Sequence, residues 1–156
     1  MRIPATAALL GLAVALGFVG AWLVQLLYDP RYELAGGVVV LLAIAQIPAL
    51  IVLTYDQAAL ASGESRRYFV LAAARAALII AGMVLGLSYG GMAGALVGLG
   101  LGHVAAYPVV VWLARTEGAW DPWHDLLFTI AATLLGGLAI WLNWPHIVAL
   151  SALGGG

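Results

Sequence analysis

Four uncharged runs, Ile3 to Tyr28, Leu34 to Tyr55, Ala76 to Ala114 and Leu126 to Gly156, occupy most of this chain of 156 residues. Each meets or exceeds the roughly 20 apolar residues that cross a bilayer as one helix. The run from Ala76 to Ala114 is about twice that length and is broken near its middle by Ser88-Tyr89-Gly90-Gly91, a turn signal, so it reads as a hairpin of two spans. The expected fold is all-α, a polytopic transmembrane helical bundle of about five spans at residues 4–27, 31–61, 68–87, 91–113 and 122–142. Residues 145–156 are apolar but too short to cross, which leaves an apolar tail or a truncated sixth span. Arg2 before an alanine-rich stretch has the look of a signal peptide, but a first segment of about 24 residues followed at once by a second span reads as a retained helix.

Hydrophobic residues make up 65 % of the chain and charged ones 8 %, and the charges mark where it leaves the hydrocarbon. Asp29-Pro30 and Asp121-Pro122 each pair an N-capping side chain with a residue suited to the first helical position, and each is expected to open a span. Gly63 suits a left-handed helix end, and Ser65 a cap for the next helix. All basic residues are arginines. With loops numbered alternately, Arg2, Arg66, Arg67, Arg75 and Arg115 fall on one side and Arg31 on the other, which predicts a cytoplasmic N-terminus. Trp120 and Trp123 then mark one interface of the last span, and Trp141 and Trp144 the other. A net charge of −1 argues against nucleic acid as a partner, and the chain has no cysteine for a disulfide or a thiolate metal site.

Four polar side chains inside the spans are candidates for a substrate pathway. Arg75 lies about 12 Å beyond Arg67 along a helix, on a face with Tyr68, Ala72, Ile79, Gly82 and Gly86; it either faces a cavity or reaches back to the headgroups. Gln46 sits beside Pro48, where the helix should bend, and either meets a substrate or pairs with a neighbouring helix. His103 and Tyr107 share a face one turn apart, His103 being either a proton relay or a hydrogen-bonded membrane histidine. Asp56 and Gln57 lie near the interface, within reach of ordinary hydration. Gly90, Gly94, Gly98 and Gly102 form a stripe for close helix packing, and Gly82 and Gly86 offer small residues on the preceding span. Gly98-Leu-Gly-Leu-Gly102 lacks the spacing of a nucleotide loop. No catalytic constellation, metal-ligand spacing or cofactor site is visible, so an enzyme is not expected.

Three stretches carry a family resemblance. Leu26-Leu-Tyr-Asp-Pro-Arg-Tyr-Glu-Leu-Ala-Gly36 resembles the LL-(F/Y)-G-x-x-Y-x-x-A turn of polysaccharide flippases in the multidrug/oligosaccharidyl-lipid/polysaccharide (MATE-like) exporter superfamily. Ala59-Leu-Ala-Ser-Gly-Glu-Ser-Arg66 resembles that family's L-x-A-x-G-x-x-(R/K) helix end, and Leu87-Ser-Tyr-Gly-Gly-Met-Ala-Gly-Ala95 is similar to its (Y/F)-G-x-x-G-A-A hairpin. The resemblance implies that residues 1–144 are part of a C-terminal transmembrane lobe. It implies a multi-pass protein of the bacterial inner membrane that flips undecaprenyl-pyrophosphate-linked oligosaccharide for polysaccharide or lipopolysaccharide biosynthesis. The partners it implies are the lipid bilayer, the lipid-linked oligosaccharide, and a missing N-terminal lobe or other helical subunits. Asp29-Pro30 departs from the family's glycine, and complete members have two lobes. A MATE-like drug exporter fragment, or a non-transporting scaffold using the glycine stripe, shares these features.

Overall fold

Helices form wherever the sequence gives the backbone no water to bond with. The structure, a computed structural model, describes the backbone of residues 2–61, 63 and 65–152, and their side chains except at 30, 33, 57–61 and 151. The elements are α1 (Arg2–Leu27), a short 3₁₀ turn (Pro30–Tyr32), α2 (Glu33–Ala45), α3 (Ile47–Ala61), α4 (Ser65–Thr116), α5 (Pro122–Leu142) and α6 (Trp144–Ala152). Among the described residues there is no strand, and the chain is all-α. Four stretches, Arg2–Leu27, Leu34–Asp56, Ser65–Thr116 and Pro122–Leu142, are long and apolar enough to cross a membrane.

Ser65–Thr116 is a hairpin rather than one rod. Gly90 (φ −142°, ψ 21°) and Gly91 (φ 56°, ψ −144°) leave helical geometry and divide it into two arms, 65–89 and 92–116. Only glycine adopts the Gly91 conformation without strain. Five membrane-length segments result. The arms press backbone to backbone: a Cβ at Gly86 would run into the Gly94 carbonyl oxygen, and one at Gly98 into that of Gly82. At Gly102 it would come within 2.7 Å of the Ile79 Cα. Gly90 takes the bend, with open space around it. The stripe from Gly94 to Gly102 is thus engaged inside the hairpin, and a scaffold reading would need another surface.

α2 and α3 form one span interrupted at Gln46. Pro48 has no N–H to return to Ile44, while the Gln46 N–H bonds the Leu42 oxygen at 3.2 Å and the Leu50 N–H the Gln46 oxygen at 3.1 Å on either side. Asp121 caps α5 as its sequence suggests, accepting the His124 N–H at 3.1 Å with Pro122 just inside the helix. Asp29 behaves differently: it accepts the Arg31 N–H at 3.0 Å and opens the 3₁₀ turn, and α2 starts after Tyr32 with no side-chain cap. The turn is too tight for a helix to begin at Pro30. Gly63 has φ 75°, left-handed as expected, and the unforeseen Gly118 ends α4 the same way at φ 63°. Residues 62, 64 and 153–156, which include part of the second family-like stretch and the end of the tail, lie outside the described residues.

After Leu142 the chain turns at Asn143, whose side-chain amide donates to the Gly17 oxygen at 3.1 Å and to the Ala139 oxygen at 2.9 Å. The nine-residue α6 then folds back into the bundle. Its Ile147 and Leu150 are buried with Ala21, Val40, Leu41, Ala93 and Leu96. A second core at the opposite end holds Leu10, Val14, Ile51, Tyr55, Leu71, Val110, Leu113 and Phe128. α5 packs on α1 and α3 but scarcely approaches α4.

Replacing Gly86 or Gly98 with leucine should destabilise the bundle by at least about 2 kcal/mol, because backbone rather than a movable side chain stands in the way. Gly137→Ala, which points into open space, should leave stability unchanged. Denaturant titrations in micelles followed by circular dichroism check this; equal midpoints for Gly98→Leu and Gly137→Ala would refute the hairpin packing.

Candidate functional site

The first turns of α5 carry a cluster of bonded polar side chains. Asp121-Pro122 fixes where the helix starts, so His124 and Asp125 follow one turn inside, and each is only 3 % exposed. A carboxylate so buried must find donors within the protein. Asp125 Oδ1 accepts the Tyr55 hydroxyl at 2.7 Å, and Oδ2 accepts the Tyr107 hydroxyl at 2.8 Å. The His124 Nδ1 lies 3.1 Å from Asp125 Oδ1, and its Nε2 lies 3.1 Å from the Thr6 hydroxyl. The Tyr55 hydroxyl also accepts the Asp121 N–H at 3.3 Å. Three elements, α3, the second arm of α4 and α5, thereby meet at one carboxylate, and α1 joins them through Thr6 and His124.

Arginines ring this end of the bundle without touching Asp125. The Arg2 guanidinium lies 4.5 Å from the Tyr55 ring centroid and donates to the Ala119 oxygen at 2.8 Å. Arg115 stacks 4.0 Å from the Trp120 ring centroid, and Arg67 pairs with Glu117 at 3.1 Å. Thr6, His124 and Asp125 stand in the order of a nucleophile, base and acid. Thr6 is fully buried and does not line the cleft described below.

Beside the cluster, where α5 and the second arm of α4 stand apart, lies a cleft of about 650 Å³. That volume falls within the range of about 300–1,000 Å³ typical of ligand sites. Ile51, Val104 and Leu126 make its walls apolar, while Tyr107 and Asp125 bring the cluster to its surface. Pro48 of the second span lines it too. The Trp120 indole N–H is buried at its edge.

Of the pathway candidates read from the sequence, the structure brings Tyr107 to the cleft. Arg75 is elsewhere: its guanidinium grips Asp56 through two bonds of 2.7 and 2.9 Å, the side chains 22 % and 11 % exposed. Asp56, read as hydrated, is the partner that answers Arg75's depth. Gln46 and His103 are half-buried, do not line the cleft, and have no side-chain hydrogen bond among the described residues. Sequence reading missed Asp125, Tyr55, His124 and Thr6. One signal was present, because the Asp121-Pro122 start already puts Asp125 inside a span. Among the described residues no group of three metal-ligating side chains occurs.

Comparison of the chain with protein-family models, with curated proteins and with solved structures gives no match.

Arg75→Leu should cost about 3 kcal/mol by leaving the Asp56 carboxylate unpaired and largely out of water, and Arg75→Leu with Asp56→Leu should recover most of it. A double-mutant cycle on unfolding in micelles measures this. Strict additivity would mean that the pair contributes nothing.

Proposed function

We propose that this chain is part of a membrane transporter that flips undecaprenyl-pyrophosphate-linked oligosaccharide across the bacterial inner membrane, its N-terminus cytoplasmic. The observation that carries the reading is the cleft between α5 and the second arm of α4, apolar along its walls and polar at one end. Such a cleft suits the polyprenyl tail of an amphipathic substrate that crosses with its head in a polar path and its tail in lipid. The flippase-like stretches 26–36 and 87–95 support it, since both form turns between membrane-length segments, at the 3₁₀ turn and the Gly90–Gly91 bend. In this reading the cleft takes the tail, and the pyrophosphate is met by another part of the transporter, because Arg75 is spent on Asp56.

One observation favours a second reading. A carboxylate beside aromatic rings in an apolar cleft suits a lipophilic cation better than a pyrophosphate, as a drug exporter would require.

Deleting the gene in its own host separates the two. The flippase reading expects accumulation of lipid-linked oligosaccharide and loss of surface polysaccharide, restored by the native gene but not by a copy carrying the cleft-filling Thr133→Trp. Sensitivity to lipophilic cations with normal polysaccharide selects the exporter instead. No change in either would refute both.

A further inference from the structure

We propose that the cleft beside α5 is a seat for a phospholipid of the surrounding bilayer, with one acyl chain lying in the cleft and the phosphate resting on Arg115. Depth, direction of opening and charge carry the inference. On α5 the lining runs from Pro122 to Thr133, which is about 16 Å of helix. That reach starts beside Trp120 and Trp123 and stops near the middle of a helix of 21 residues. The hydrocarbon core of a bilayer is about 30 Å thick, so the cleft spans the depth of one leaflet, which is the reach of one acyl chain. The cleft also opens sideways: Val104 and Leu126 on its walls are 54 % and 50 % exposed. A hydrocarbon chain enters such an opening from the bilayer without passing through water.

Arg115 supplies the charge at the rim. Its guanidinium lies 4.0 Å from the ring centroid of Trp120, and Trp120 lines the cleft. Stacking occupies the flat face of a guanidinium and leaves the N–H groups pointing outward from its edge. No carboxylate or carbonyl among the described residues accepts from them. The acidic groups between Arg115 and the first turns of α5 are engaged: Glu117 pairs with Arg67, Asp121 caps the helix, and Asp125 accepts the hydroxyls of Tyr55 and Tyr107. Arg2, on the other side of the loop, donates to the Ala119 oxygen. A guanidinium edge of this kind binds phosphate through charge-assisted, often paired, hydrogen bonds. An apolar slot one leaflet deep with a cation at its mouth fits a phosphate joined to a hydrocarbon chain.

The site rests on the membrane placement in the function proposed above and not on what the transporter carries; a polyprenyl tail entering the cleft would displace the lipid. Native mass spectrometry of the full chain, released from micelles containing phosphatidylglycerol, counts the bound lipid and gives its affinity. We expect one tightly held lipid per chain. Arg115→Gln should weaken it about tenfold, the scale of one charge-assisted hydrogen bond, and the cleft-filling Thr133→Trp by at least as much. Arg31→Gln, at the other end of α1 and 88 % exposed, should change nothing. Diacylglycerol with the same chains should bind about tenfold more weakly than phosphatidylglycerol, and millimolar inorganic phosphate should fail to displace the lipid. Equal affinity in the native chain, Arg115→Gln and Thr133→Trp overturns the site. So does an equal loss in Arg31→Gln, which marks general attraction of an anionic lipid. Diacylglycerol binding as tightly as phosphatidylglycerol overturns the phosphate contact, and displacement by inorganic phosphate overturns the seat in the cleft. These last two comparisons use the native chain, so they are readable even where a variant fails to fold. A chain that holds the lipid at Arg115, but whose deletion leaves polysaccharide normal, keeps this site and loses the flippase reading.

Discussion

A buried carboxylate in a chain of long apolar helices governs how the helices of this protein come together. Asp125 sits one turn inside α5, where burial makes an unbonded oxygen costly. Tyr55, Tyr107 and His124 answer that cost, and through them and Thr6 the carboxylate draws α3, the second arm of α4 and α1 to one end of the bundle. Apolar burial between helices adds little preference here, since lipid tails are as apolar as leucine. Polar contacts and close backbone packing are left to specify the arrangement.

Close packing is supplied by glycine. The two arms of α4 meet at Gly82, Gly86, Gly94, Gly98 and Gly102, where the backbones approach too nearly for a side chain. Gly37 does the same for α6, whose His146 oxygen would stand 2.6 Å from a Cβ there. The hairpin therefore behaves as one stiff element. α5 is fastened to α1 and α3 and reaches α4 chiefly through the Tyr107 hydroxyl. The cleft is the consequence: a gap between a rigid hairpin and a helix held to it at one end. An opening of that kind can widen or close by small movements of α5.

Much of the fold was legible in the sequence because its signals are local. Length and apolarity gave the spans, Ser88-Tyr89-Gly90-Gly91 gave the hairpin, and Asp121-Pro122 gave the start of α5. The site was less legible. Tyr55 and Asp125 are 70 residues apart, and Thr6 and His124 are 118 apart, so no spacing rule joins them. Arg75 shows the limit well. Helical spacing gave the neighbours on its own face, whereas its partner Asp56 lies on the preceding helix, 19 residues earlier, and only three-dimensional packing brings them together. Asn143 escaped notice for the same reason, its amide bonding Gly17 at the far end of the sequence.

The Tyr107–Asp125 bond holds α5 against the second arm of α4. The chain has no cysteine, so spin labels can be placed on cysteines at Leu101 and Ile130, exposed positions on the two elements. The inter-label distance distribution, measured by pulsed electron resonance in nanodiscs, is predicted to be single and narrow in the native chain and to broaden or lengthen in Tyr107→Phe. An unchanged distribution in that variant would contradict the account, for α5 would then be held by something other than Asp125.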